Sequence, residues 1–248
     1  MSVNHPTALF VTGTDTGVGK TLVAAALARY ASRLGLRVGV MKPCETGVDD
    51  PAELGADGKL LRWAADSEDD HTLISPYRLT APLSPAQAAE RAGVTIDPGE
   101  IVRACTEVAK GKDLLVVEGA GGLMVPIRGG YLMADLARQL QLPLLVVCRP
   151  NLGTINHTLL TIFAARCMEL PVAGFLVNRM PSEPGAAESD APHLLASLAS
   201  ADLLGVLPEV NGTPEARIEQ LVDAILALPS RPWLDNVLGL PAGTAPAR

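Results

Sequence analysis

A doubly wound α/β fold, with a mainly parallel sheet and helices on both faces, is the class this 248-residue sequence predicts. Three observations carry it. Six short aliphatic runs alternate with longer stretches of helical period. The runs are apolar at successive positions, as strands buried on both faces require. Glycine-rich or polar residues follow the runs directly, where a parallel sheet gathers its functional loops.

The first run, Ala8 to Val11, leads into Gly13-Thr14-Asp15-Thr16-Gly17-Val18-Gly19-Lys20-Thr21. A glycine-rich turn from strand to helix, closed by a lysine and a hydroxyl residue, reads as a phosphate-binding loop. Its N–H groups and the helix N-terminus concentrate positive potential, Lys20 adds a full charge, and Thr21 offers a hydroxyl suited to Mg²⁺. The strict Walker pattern wants glycine at position 14; this chain has Thr14, with Gly13 one place early, so the loop is a variant of the P-loop NTPase type. Leu22 to Leu34 then has helical spacing. The second strand, Arg37 to Met41, ends in Lys42-Pro43-Cys44-Glu45-Thr46-Gly47. Residues 49–70 are acidic and polar and residues 76–98 are proline-rich, yet Leu60, Leu61 and Leu83 anchor them, which predicts an excursion over the active edge. A helix at Ile101–Ala109 precedes the strand Leu114–Val117 and its sequel Glu118-Gly119-Ala120-Gly121-Gly122. A helix at Met133–Gln141 precedes the strand Leu144–Cys148, followed by Asn151-Leu152-Gly153-Thr154-Ile155-Asn156. A helix at Thr158–Met168 leads to the strand Val172–Val177 and then Asn178-Arg179. A helix at Leu194–Ser200, a strand at Leu203–Leu207 and a helix at Ile218–Leu228 complete the series. Right-handed crossovers place the five segments that follow strands along one edge. The reading is one domain over 1–228 and a tail over 229–248 that is poorly ordered or wraps the surface, since it has four prolines and little periodicity.

Composition excludes several classes. The chain is 48% hydrophobic, enough for one substantial core. Its apolar runs are far shorter than the roughly 20 residues of a membrane helix, and its start lacks the order of a signal peptide, so the expected location is the cytoplasm. A formal charge of −7 without a lysine and arginine cluster argues against nucleic acid as a partner. Three Phe, three Tyr and two Trp cannot form a base-stacking platform. Cys44, Cys105, Cys148 and Cys167 form no CxxC pair, which leaves reduced thiols rather than a zinc or redox motif. The expected partners are small molecules.

At the strand ends, a triphosphate beside a carboxylate requires a cation, because two like charges at about 4 Å repel by about 4 kcal/mol at an effective dielectric near 20. Glu118, after an aliphatic strand, stands where a Mg²⁺-binding acid belongs; the alternative is a cap or hydrogen bond to the Gly119–Gly122 turn. Lys42 fits either a nucleotide-facing ammonium or a solvated surface. Asp57 fits a helix cap, Asn156 likewise, and Asn178 a turn. His157, isolated in a first helical turn, suits a structural hydrogen bond better than catalysis.

Together, Val11 to Thr21, Lys42-Pro43 with Thr46-Gly47, Val117-Glu118-Gly119-Ala120-Gly121-Gly122, Leu152 to His157, and Gly174 with Asn178 resemble the dethiobiotin synthetases in order and spacing, from about residue 8 to about residue 210. The resemblance implies an ATP- and Mg²⁺-dependent carboxylation and ring closure of 7,8-diaminononanoate with CO₂, giving dethiobiotin, ADP and phosphate in biotin synthesis. It implies a carbamate, then a carbamic-phosphoric anhydride, and a homodimer with the substrate site at its interface. Carried over by motif, Gly17, Val18, Gly19, Lys20, Thr21 and Leu22 hold ATP, with Asp57, Glu118, Gly119, Ala120 and Gly121 beside them. Asn178, Arg179, Pro208, Glu209 and Val210 hold the adenine end. Thr21, Asp57 and Glu118 surround Mg²⁺, and Lys42 and Lys20 are catalytic. Thr46 contacts the diamine, and Gly153, Thr154, Ile155 and Asn156 receive the substrate carboxylate. Two departures are visible: Ala86-Gln87 stand after Leu83-Ser84-Pro85 where relatives carry histidine, and no tyrosine follows Tyr131. Ser189, Ser197 or His193 are then candidates to assist the carboxylate site.

The competing reading is a partition-type P-loop ATPase switch, which shares the βαβ plan. Asp15 occupies the place of that class's signature lysine, and no basic amphipathic tail is present to hold a switch on a membrane. An amidating synthase of the cobyrinate type lacks its glutaminase portion here.

Overall fold

The computed structural model describes residues 7–240. Along the chain run β1 (Thr7–Gly13), α1 (Lys20–Arg33), β2 (Val38–Met41), β3 (Cys44–Thr46), α2 (Ala56–Ala64), α3 (His71–Ile74) and β4 (Tyr77–Leu79). Then come α4 (Pro85–Ala92), α5 (Pro98–Ala109), β5 (Leu114–Gly122), β6 (Pro126–Arg128), β7 (Tyr131–Leu132), α6 (Met133–Leu140) and β8 (Leu144–Cys148). The rest is α7 (Thr154–Cys167), β9 (Val172–Met180), α8 (Ala186–Leu198), β10 (Leu203–Pro208), α9 (Pro214–Ala227) and α10 (Arg231–Val237).

Six strands form one sheet in the order β10-β9-β8-β1-β5-β2, and every pairing in it is parallel. Alternation along each strand sends side chains to two faces. Leu9, Val11, Leu114, Val116, Leu145 and Val147 pack under α1, α2, α9 and α10. Phe10, Leu115, Val117 and Leu144 face α4, α5 and α6, while Val146, Cys148, Phe175 and Val177 face α7 and α8. The sheet is therefore covered on both sides, as its continuous aliphatic strands demand. The chain leaves β1 for β2 on one side and resumes at β8 on the other, so the winding reverses beside β1. A crevice at such a reversal is where open α/β sheets bind ligands.

Local chemistry sets the helix ends. α1 stops in a paired arrangement in which Gly35 N–H donates to Ser32 and Leu36 N–H to Ala31; Gly35 supplies the left-handed φ of 85° this ending needs. α5 starts at Asp97, whose carboxylate accepts from Gly99 N–H at 2.9 Å with Pro98 in the first turn, and Thr213 with Pro214 does the same for α9.

Several sequence expectations need correction. β5 runs through Glu118 to Gly122 instead of ending at Val117, because β1 is long enough to pair with it as far as Gly13↔Gly122; Glu118 is a strand residue opposite Val11. β9 likewise continues through Asn178 and Arg179. α8 begins at Ala186 and tolerates Pro192 inside it, whereas the apolar spacing predicts a start at Leu194, after that proline. Between residues 49 and 98 lie α2, α3, α4 and β4, which pairs in parallel with β3 just before the excursion; these elements are too short for periodicity to show. The tail expected to be poorly ordered or to wrap the surface folds over Arg231–Val237 into α10. Leu234, Leu238 and Leu240 are buried against α1 and α9, and the buried Tyr30 hydroxyl donates to Asp235 at 2.7 Å. Residues 241–248 lie outside the described residues.

Candidate functional site

The phosphate-binding loop is the short path from β1 to α1, and it is tied down on two sides. Thr14 N–H donates to the Val147 carbonyl at 3.0 Å, fixing the loop to β8. On the other side the Asn178 amide donates to the Val18 carbonyl at 2.9 Å. That amide lies against Gly19, where any Cβ would collide with it, and Gly19 is left-handed at φ 94°. Glycine is required there by both backbone and neighbour. Lys20 opens α1 with its side chain buried and its ammonium on the Asp15 carbonyl at 3.2 Å. Burial lowers the Lys20 pKa, against the pull of Glu118.

Behind the loop sits a buried charge cluster. Lys42, the residue after β2, donates to Glu118 Oε1 at 2.7 Å and pairs with Asp57 Oδ2 at 2.8 Å. Thr21 Oγ1 donates to the same Glu118 oxygen at 2.8 Å. Burial opposes the charge on Lys42, but Glu118 and Asp57 outweigh it and hold its pKa above the usual lysine value. Asp57 is opposed by burial too, yet Lys42 keeps its pKa low. Glu118 goes the other way: burial raises its pKa, only partly offset by Lys42. Glu118 Oε2 is buried with no hydrogen-bond partner. An unmet buried carboxylate oxygen costs stability unless something else occupies it.

These side chains line a cavity of about 390 Å³ that also takes in Thr16, Gly17, Gly19, Leu22, Cys44, Thr46, Ala120 and Gly121, with Arg179 and Arg217 at one end. A smaller cavity of about 230 Å³ continues from that end, lined by Leu22, Asn178, Arg179, Glu209, Val210 and Arg217, with Asn211 and Gly212. The structure thus brings together the phosphate-loop, lysine, carboxylate and strand-end residues read from sequence. Val18 and Gly119 lie buried beneath the cavity, and Pro208 is exposed outside the smaller one.

Gly153 to Asn156 are not in that cavity. Gly153 precedes α7 at φ 93°, and Thr154 N–H is already used by the Asn151 carbonyl at 3.1 Å. A separate cavity of about 390 Å³ lies between the outer side of the phosphate loop and α7, lined by Thr14 to Thr16, Met124, His157 and Leu160 among others. A further cavity of about 780 Å³ along α2, lined by Arg29, Trp63, His71 and Lys112 among others, includes none of the sequence-predicted site residues.

Two residues were not found from sequence. Glu45 is buried, and its carboxylate accepts from the N–H groups of Gly55, Asp57 and Gly58 at 3.1, 2.8 and 3.1 Å. It caps the start of α2 from a distant strand and so fixes the backbone that carries Asp57. A contact across ten or more residues leaves no local signal. Arg217 did leave one: it is a cation in the first turn of a helix, the end where the dipole disfavours positive charge.

The site also fits a divalent cation. Thr21, Asp57 and Glu118 offer only oxygen, the chemistry of a hard cation, and the orphaned Glu118 Oε2 is an acceptor awaiting a partner. Among the described residues no group of three or more His, Cys, Asp or Glu is gathered for a metal. Mg²⁺ beside phosphates needs only one or two protein carboxylates.

Fold and site together define a nucleotide-binding protein of the P-loop class, and the AAA domain family matches residues 7–217. Solved structures that share the architecture include the MinC:MinD cell division complex of Aquifex aeolicus, with a TM-score of 0.58 at 17% identity over 97% of this chain and 98% of that one. A ParA family ATPase of Chlorobium tepidum has a TM-score of 0.54 at 17% identity over 94% of this chain and 100% of that chain. At that identity they speak for the fold. Among curated proteins, the ATP-dependent dethiobiotin synthetase BioD of Thermodesulfovibrio yellowstonii is 43% identical over 80% of this chain and 87% of its own length. The BioD proteins of Bacillus subtilis, at 36% over 87% and 94%, and Anaeromyxobacter dehalogenans, at 47% over 71% and 78%, are similar. The chain belongs to the dethiobiotin synthetase family.

Proposed function

We propose that this protein is an ATP-dependent dethiobiotin synthetase, joining CO₂ to 7,8-diaminononanoate and closing the ureido ring with release of ADP and phosphate. The observation that carries the reading is the single cavity in which the phosphate loop, Lys20, Lys42, Thr21, Asp57 and Glu118 converge. Such a cavity holds a triphosphate end-on against a second substrate.

The first chemical requirement is a neutral amine. An alkylamine of pKa about 10.4 costs about 4 to 5 kcal/mol to deprotonate at pH 7, and a neighbourhood of ammonium groups lowers that cost. Lys20 supplies such a charge unpaired, while Lys42 is shared with two carboxylates. The neutral nitrogen attacks CO₂ and loses its proton to leave a carbamate anion. A carbamate oxygen attacks the γ-phosphorus as the β–γ bridging oxygen leaves with ADP, giving a carbamic-phosphoric anhydride. The second amine then attacks the carbonyl carbon, and phosphate departs. Phosphoryl transfer of this kind depends on positioning and charge stabilisation, which the two lysines and the loop N–H groups provide. Thr21, Asp57 and Glu118 are the residues that would hold Mg²⁺, whose chemistry when bound is to offset charge on the phosphate oxygens. Thr46 lines the same cavity wall and is assigned to the diamine. Leu22, Asn178, Arg179, Glu209 and Val210 are assigned to the base and sugar.

We infer further that the working form is a homodimer. Leu152, Leu160, Phe163, Leu194 and Leu198 on and before the neighbouring α7 and α8 are exposed, Leu152 at 90%, and Met124 extends the patch to the cavity beside the phosphate loop. So much apolar surface on one side suits a partner copy. The α7 N-terminus, assigned to the substrate carboxylate, borders that patch. Residues 1–228 together with α10 are read as one synthetase domain. No helix among the described residues is long and apolar enough to cross a membrane. The cytoplasm is proposed as the location of this biosynthetic step.

The test is ADP release by the purified protein. It should require diaminononanoate, CO₂ or bicarbonate, and Mg²⁺ together. ATP turnover indifferent to the diamine would overturn the synthetase reading in favour of a nucleotide switch.

A further inference from the structure

Where the phosphate cavity meets the base pocket, Leu22, Arg179 and Arg217 line both. Arg217 sits one turn into α9, immediately before the fully buried Ile218, so its place is set by the packing of α9 on α1. Its main-chain N–H is committed to the Thr213 carbonyl at 2.9 Å. Its side chain is not committed: Nε is buried with no hydrogen-bond partner. Glu219, the nearby acid on the same helix, is turned to Arg29 and Arg33 at 3.1 and 2.5 Å. Glu209 shares the base pocket but makes no ion pair with Arg217 among the described residues.

The charge balance of the cavity sharpens the point. Lys20, Lys42, Arg179 and Arg217 stand against the carboxylates of Asp57 and Glu118. Both carboxylates are engaged by Lys42, which leaves the other three cations without an ion pair among the described residues. A guanidinium at the positive end of a helix, beside two other cations and with a buried donor unmet, is unfavourable until an anion arrives. Its planar fork of donors matches phosphate oxygens. Arg179 adds a second local cost, since it is held at φ 64° in the left-handed region.

We propose that Arg217 is a nucleotide-binding residue whose guanidinium receives a phosphate oxygen at the sugar end of the polyphosphate chain. The proposal rests on the nucleotide reading of this cavity, and it adds a contact from α9 that the motif-based assignment lacks. The probes are ATP, ADP and adenosine, titrated calorimetrically or by competition against fluorescent ADP, into the full chain and its Arg217→Gln and Arg217→Lys variants. Arg217→Gln should weaken ATP and ADP roughly tenfold or more, the loss of one hydrogen bond to a charged group, and leave adenosine within about twofold. The affinity of ATP should also fall less steeply with salt in that variant. Arg217→Lys, which keeps charge but not the fork, should recover part of the loss. The nucleotide-free variants should melt with the parent. Arg217→Gln binding ATP as tightly as the parent, or losing adenosine by the same factor as ATP, would overturn the proposal. A parent that binds no ATP would remove the nucleotide reading itself, and the contact with it.

Discussion

The two ends of the central sheet each carry an ion pair that joins β2 to β5, and the two pairs obey opposite rules. At the N-terminal end, Arg37 and Asp113 are exposed and complete. The guanidinium meets both carboxylate oxygens at 3.0 and 2.8 Å, and the Arg37 N–H adds a third bond at 2.9 Å. At the C-terminal end, Lys42 and Glu118 are buried and incomplete, for Glu118 Oε2 has no partner. An exposed, satisfied pair staples two strands and asks for nothing more. A buried pair with an open acceptor is costly to fold, and it persists where a bound ligand completes it. The contrast separates structural from functional charge without reference to any relative.

Substitutions at both ends sharpen this contrast. The largest effect is expected for Lys42→Ala: turnover should fall by about 10²–10³, the scale for losing one charge-stabilising donor, with ATP affinity within about threefold of the parent. Steady-state rates and nucleotide titrations on the same preparation decide it; an equal loss in both would move Lys42 from the reaction to nucleotide binding. Next, Glu118→Gln should weaken ATP about tenfold in the presence of Mg²⁺ and hardly at all in EDTA, since it leaves the phosphate loop intact while removing a charged oxygen. Its nucleotide-free melting temperature should not drop, because a buried charge has been removed. A large fall in stability would mean the carboxylate is structural after all. Glu45→Ala should cost about 1–2 kcal/mol in urea unfolding, the range for losing a helix cap. It should also raise the Mg²⁺ concentration needed for half-maximal ATP binding, because Asp57 loses its support; Glu45→Gln should restore part of both.

The smallest effect belongs to the back edge. Asp113 has its pKa lowered to about 2 by hydrogen bonds from Arg37, against an ordinary value of 3.8. A depressed carboxylate stabilises the fold above its unfolded pKa, and that contribution is lost as pH falls through the folded value. Asp113→Asn should therefore shift the urea midpoint slightly downward at about pH 6, and the difference should shrink as pH falls below about 4 and vanish only below about pH 2. Turnover should be untouched. A change in catalytic rate would break the division between the two edges.

How much of this was legible in the sequence depends on distance along the chain. The six strands of the sheet were visible because each is a short aliphatic run, and Leu144–Cys148 was placed to the residue. The phosphate loop was visible because glycine, lysine and threonine are adjacent. The extension of β5 past Glu118 was hidden by glycines, which read as a turn and pair as a strand because β1 continues opposite them. The helix α10 was hidden by prolines, although Leu234 and Leu238 stand four residues apart, one helical turn. Lys42 and Glu118 could be suspected singly from their places after strands. Their shared hydrogen bond, 76 residues apart in sequence, could not be seen. Glu45 escaped for the same reason, since its role exists only once β3 and the start of α2 are side by side.

In the proposed reaction, one cavity holds a carbamate against the γ-phosphate of ATP. Single turnover with heavy-oxygen-labelled CO₂, quenched before the label exchanges with water, tests it directly. One labelled oxygen should appear in the released phosphate and another in the ureido carbonyl of the product. Phosphate free of label, with dethiobiotin still formed, would show that the carbamate oxygen never attacks phosphorus and that the anhydride is not on the path.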